Sequence, residues 1–168
     1  TSLANAAIAA SPWLTKAQFP LLTIAQSRML LLLGQSRGDV LPRDPQALAH
    51  IGRAKVLMQR VLQLEDTYYY GGAHVFFGVY YGSLAPMFGG DYARSRRHFK
   101  SASDITKGKL LMVDVLYAES LARQTLDRKA FHEKLTAVLQ APPDLFPEMA
   151  LANRIAQDKA QHLLNKEK

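Results

Sequence analysis

Apolar residues recur along this chain every three or four positions, and nowhere do they alternate with polar ones over the length of a strand. Every periodic segment is therefore expected to be a helix. Leu22, Ala25, Met29, Leu32 and Leu33 form one stripe over about residues 20–35, and the loop GQSRGDVLPRD follows. Asp44 then offers a side-chain acceptor as N-cap, and Pro45 supplies the preset φ of a first helical position. That predicts a second helix over about 45–64, with Leu48, Ile51, Met58, Val61 and Leu62 inward. After Asp66 comes YYYGGAHVFFGVYYGSLAPMF, where Phe76, Phe77, Tyr80 and Leu84 keep helical spacing and His74 and Tyr81 fall on the other side. GGD at 89–91 stops this helix and caps the next, over about 92–103. Further helices are predicted over about 109–124, 128–140 and 147–164, with Asp127 and Asp144 as caps or first-turn carboxylates.

The expected architecture is a single all-α domain over 1–168, made of antiparallel hairpins at about 20–64, 67–103 and 108–140 and a closing helix. The second helices of the pairs look related. Ala54, Met58 and Val61 give small, large, small at offsets of four and three; Ser95, Phe99 and Ala102 repeat it. Ala130, Lys134 and Ala137 repeat the small positions only. The steps are 41 and 35 residues, and the second is close to the period of a tetratricopeptide repeat. A degenerate solenoid of that kind is the expectation, with an irregular all-α bundle as the alternative.

Composition narrows the chemistry. The 168 residues are 48% hydrophobic and 21% charged, which is ordinary for a globular domain, and there is no cysteine. Thiolate metal sites, thiol nucleophiles and disulfides are excluded. The net charge of +7 favours an anionic partner. The uncharged run from 67 to 90 holds glycines, tyrosines, His74 and Pro86, a poor composition for a hydrocarbon span. The opening TSLANAAIAA has no basic stretch ahead of an apolar one, so no targeting segment is read there, and a soluble protein is expected.

Several of these features occur together in one known family. The chain from about 55 to 165 resembles the T component family of tripartite ATP-independent periplasmic (TRAP) transporters. Leu64 with Asp66, Gly71 with Gly72, the GGD turn, Phe99 with Ala102, the Phe131 to Leu139 segment and Asn153 through Leu164 carry the resemblance. It implies a periplasmic or lipid-anchored helical-repeat protein that binds the solute-binding subunit of a TRAP transporter and holds or hands over an apolar ligand. Membrane contact is then expected only through a lipid anchor, and a homo-oligomer stays open.

Candidate chemistry is sparse. His50, His74, His98, His132 and His162 are spread one to a segment without metal-binding spacing, so no metal or cofactor is expected. Asp104, Asp114 and Glu119 are the carboxylates nearest to an acid–base set, but Asp114 and Glu119 lie five apart and share no helical face. No catalytic residue is assigned. The basic cluster Arg94, Arg96, Arg97, His98, Lys100, Lys107 and Lys109 is read first as a solvated face, next as a surface for an acidic protein or lipid headgroups, and last for nucleic acid. The aromatic stretch is the best candidate for function. Phe76, Phe77 and Tyr80 are expected in the core; Tyr70, His74 and Tyr81, with Phe77 and with Tyr117 of the next pair, are assigned to a groove for a peptide or an amphipathic molecule. A non-enzymatic accessory of a TRAP transporter is the leading expectation, and a peptide- or protein-binding scaffold unrelated to transport is the alternative.

Overall fold

The computed structural model describes residues 45–167, and the regular structure there is entirely helical. The protein is all-α. The predicted helix at about 20–35 and the Asp44 cap lie outside the described residues. The chain divides into two compact units, Thr1–Phe76 and Phe77–Lys168, and the boundary falls inside a helix.

In the first unit, α1 runs Pro45–Leu64 and starts on the proline, whose missing N–H costs nothing at that position. Ala54, Met58 and Val61 are all buried, as the offsets of four and three require. The next helix, α2 (Tyr68–Ser83), does not start as an ordinary helix. Tyr69, Tyr70 and Gly71 have φ of 46°, 59° and 74°, a left-handed turn before the right-handed helix sets in. Each of the two tyrosines held there costs about 1–2 kcal/mol, and the glycine lets the chain change hand.

The second unit holds the end of α2 with α3 (Tyr92–Thr106), α4 (Met112–Tyr117), a π segment (Ala118–Ala122), α5 (Arg128–Gln140) and α6 (Ala150–Asn165). GGD caps α3 as predicted: the Asp91 carboxylate accepts from the Arg94 N–H at 2.9 Å. Asp127 does the same for α5, accepting from the Ala130 N–H at 3.0 Å. Asp144 sits in a short 3-10 turn, Pro143–Leu145, and α6 begins without a side-chain cap. Ser95, Phe99 and Ala102 are buried together, so the repeat signal on α3 is a packing signal.

On α5 that signal misleads. Its buried stripe is Phe131, Leu135 and Val138, one residue later than Ala130, Lys134 and Ala137. The offsets of four and three are retained, but large side chains replace small ones. They have room because the facing positions, Ala118, Ala122, Ala156 and Ala160, are the small ones, and all belong to one core with Leu111, Val115 and Leu163.

Two glycines set the contact between α2 and α3. A Cβ on Gly78 would lie 3.0 Å from the Phe99 ring, and one on Gly82 would lie 2.7 Å from Ser95 Oγ. Ser95 Oγ donates to the Gly78 carbonyl at 2.7 Å, which satisfies a buried hydroxyl. The helix predicted over about 109–124 is widened at its end: the Arg123 N–H reaches the Ala118 carbonyl, five residues back, at 3.1 Å. This π turn buries Ser120, Leu121 and Ala122 in succession. The closing helix is fixed by Asn153, fully buried, whose Oδ1 accepts from the Leu111 N–H and whose Nδ2 donates to the Lys109 carbonyl, both at 3.0 Å.

Candidate functional site

The buried face of α2 and the first two turns of α3 converge on one stack of rings. Phe77 and Tyr81, one turn apart, have ring centroids 5.9 Å apart. His98 stacks on both, 5.2 Å from Phe77 and 6.0 Å from Tyr81. Tyr80 meets Tyr81 edge-on at 5.1 Å. Arg94, one turn before His98, closes the stack: its guanidinium lies 5.6 Å from the Tyr81 centroid, and Nη1 donates to the Tyr81 hydroxyl at a long 3.4 Å. Its Nε also meets Asp91 at 3.2 Å, so three contacts hold a side chain that remains 54% exposed.

The residues assigned to a groove therefore separate by environment. Phe77 and Tyr81 are buried, at 2% and 7% exposure, and pack inside the second unit. Tyr70 and His74 belong to the first unit and are half-buried. Tyr117 is half-buried as well, edge-on to Phe99 at 5.5 Å and covered by Lys134 Nζ, 5.5 Å from its ring. Of the basic cluster, Arg94 joins the stack, whereas Arg96, Arg97 and Lys100 are exposed, Lys100 pairing with Asp104 at 2.6 Å. Sequence reasoning places His98 in that cluster and misses its ring contacts. The available signal is its spacing of four from Arg94.

Burial pushes the His74 imidazole below its ordinary 6.5, with Asp66 pulling it partly back. Because the folded value is the lower one, the unfolded chain binds the proton more readily. His74 thus adds stability above about 6.5 that is lost as pH falls through and below that value. We expect the melting temperature to drop between about pH 8 and about pH 5, and the drop to be smaller in His74→Gln. Equal drops in the two proteins would remove His74 from the account.

The three carboxylates considered for acid–base chemistry are each held by a lysine. Asp104 pairs with Lys100, Asp114 with Lys134 at 2.7 Å, and Glu119 with Lys159. Among the described residues no group of three His, Asp or Glu side chains is placed to hold a metal ion. No helix of the described residues is long and apolar enough to cross a membrane.

Fold and site define an all-helical protein whose second unit pairs a basic helix with an aromatic one. The chain belongs to the TRAP transporter T-component family, whose model matches residues 38–168. Its role is in TRAP transport. No curated protein matches the chain.

Proposed function

We propose that this protein is a non-enzymatic periplasmic accessory that binds the solute-binding subunit of a TRAP transporter through the α3 face carrying Arg94 and Arg97. The observation that carries this reading is the fixed position of Arg94. A flexible exposed arginine loses side-chain entropy on docking, but this one is already ordered by Tyr81 and Asp91. Arg97, three residues on, shares its face and is exposed. The pair suits carboxylates on an acidic partner. Calorimetric titration with the solute-binding subunit tests it: Arg94→Ala with Arg97→Ala should weaken binding roughly tenfold or more and leave the melting temperature within a few degrees. Unchanged affinity would place docking elsewhere, and no binding by the unaltered chain would refute the accessory reading.

The ligand-holding role rests on Tyr70 and His74. Both are half-buried, and His74 is biased toward its neutral form, which suits an apolar or amphipathic molecule over an anion.

A further inference from the structure

Three large apolar side chains stand exposed on two neighbouring turns. Met87 and Phe88, in the 3-10 turn Pro86–Phe88 after α2, are 82% and 57% exposed; Leu126, in the turn before α5, is 85% exposed. The two turns lie side by side, because Gln124 Nε2 donates to the Ser83 carbonyl at 3.2 Å, and a Cβ on Gly82 would sit 3.3 Å from the Ser120 carbonyl oxygen.

Leu126 is the least expected of the three. The Asp127 N–H reaches the Ala122 carbonyl at 2.9 Å and the Leu126 N–H reaches the Arg123 carbonyl at 3.2 Å. That is a Schellman ending with Leu126 at its left-handed position, φ 54°, where glycine is the usual residue. Backbone strain and hydration both disfavour leucine there. The charges nearby are equally at odds with helix stability. Arg128 and Lys129 open α5, whose first turn has no acid, although a helix N-terminus favours carboxylates. Arg123 precedes them, and the carboxylate between, Asp127, is occupied as the cap. Lys129 has only a loose partner, Glu133 at 3.8 Å.

We propose that this edge docks onto an anionic lipid surface. Met87, Phe88 and Leu126 enter the interfacial layer while Arg123, Arg128 and Lys129 meet the headgroup phosphates. Met87 and Phe88 stand exposed on one turn and Leu126 on another, a pattern that a fluid layer closes around and a rigid protein would have to match with separate pockets. Apolar tips flanked by cations add burial to charge attraction, the combination that holds a protein at an interface without spanning it. The residues are separate from the Arg94–Arg97 face, so the two readings fail independently.

The test is flotation of the whole chain with vesicles of phosphatidylcholine, alone or with about one part in four of phosphatidylglycerol. Binding should need the anionic lipid and weaken in high salt. Leu126→Gly, and separately Met87→Ser with Phe88→Ser, should each lower partitioning roughly tenfold. Leu126→Gly should at the same time hold or raise the melting temperature, which a merely structural leucine would not. Leu151→Ser with Ile155→Ser, an exposed apolar pair on α6, should change nothing. Failure to float with anionic vesicles, or equal loss in all variants, would overturn the proposal. So would variants that float normally but lose the solute-binding subunit, since the edge would then be a protein interface.

Discussion

Replacing Tyr81 with alanine should destabilise the protein by about 4 kcal/mol, within the range for deleting a buried aromatic ring. Tyr81 belongs to a cluster of rings: Phe77 and His98, which also stack on each other, pack against it, Tyr80 meets it edge-on and Arg94 covers it. Removing the ring empties a space that four neighbours cannot all collapse into. Tyr81→Phe keeps the ring packing and loses the long 3.4 Å contact with Arg94, so it should cost less than about 1 kcal/mol. Urea unfolding at constant slope separates the two variants. A loss under about 1 kcal/mol for the alanine variant would mean that Tyr81 lines an open groove and is not core.

Gly90→Ala should be comparably severe, on the order of 4 kcal/mol or outright failure to fold. A Cβ there would fall 1.8 Å from the Leu84 carbonyl oxygen and 2.6 Å from its carbon, so the backbone itself would have to move. The turn that would open carries the Gly90 N–H to the Ala85 carbonyl and the Asp91 N–H to the Tyr81 carbonyl, both at 3.1 Å. The cap on α3 goes with it. Gly89, its neighbour, is a contrast: nothing lies within 4 Å of a Cβ, and only its φ of 92° disfavours a side chain. Gly89→Ala should therefore cost only about 1–2 kcal/mol. Circular dichroism and melting of both variants check the order. A larger loss at Gly89 would contradict this account of the turn.

Capping and punctuation make the helices legible in the amino-acid sequence. Asp91, Asp127 and Pro45 each mark a boundary through one local interaction, and local interactions are written in neighbouring letters. Ser95, Phe99 and Ala102 are readable for the same reason, as one stripe on one helix. The α5 register is not, because Ala130 and Ala137 imitate the small positions, while Phe131 can replace them only opposite a neighbour built of alanines. The left-handed turn at Tyr69 and Tyr70 has no signal beyond the glycine pair after it. The π turn has none, since widening answers to packing and not to propensity. In the candidate site, the aromatic and basic segments are both visible. Their meeting at Tyr81, Arg94 and His98 depends on how α2 faces α3, which no local pattern encodes.

Asn153 carries a consequence for how the chain is made. Its two hydrogen bonds reach back 42 and 44 residues, to Leu111 and Lys109 in the link between α3 and α4. During synthesis that link emerges long before its partner, so its N–H and carbonyl must be served by water until the last helix arrives. The second unit then cannot close from its amino end alone, and a nascent chain stopped short of residue 153 would remain open to proteases and chaperones.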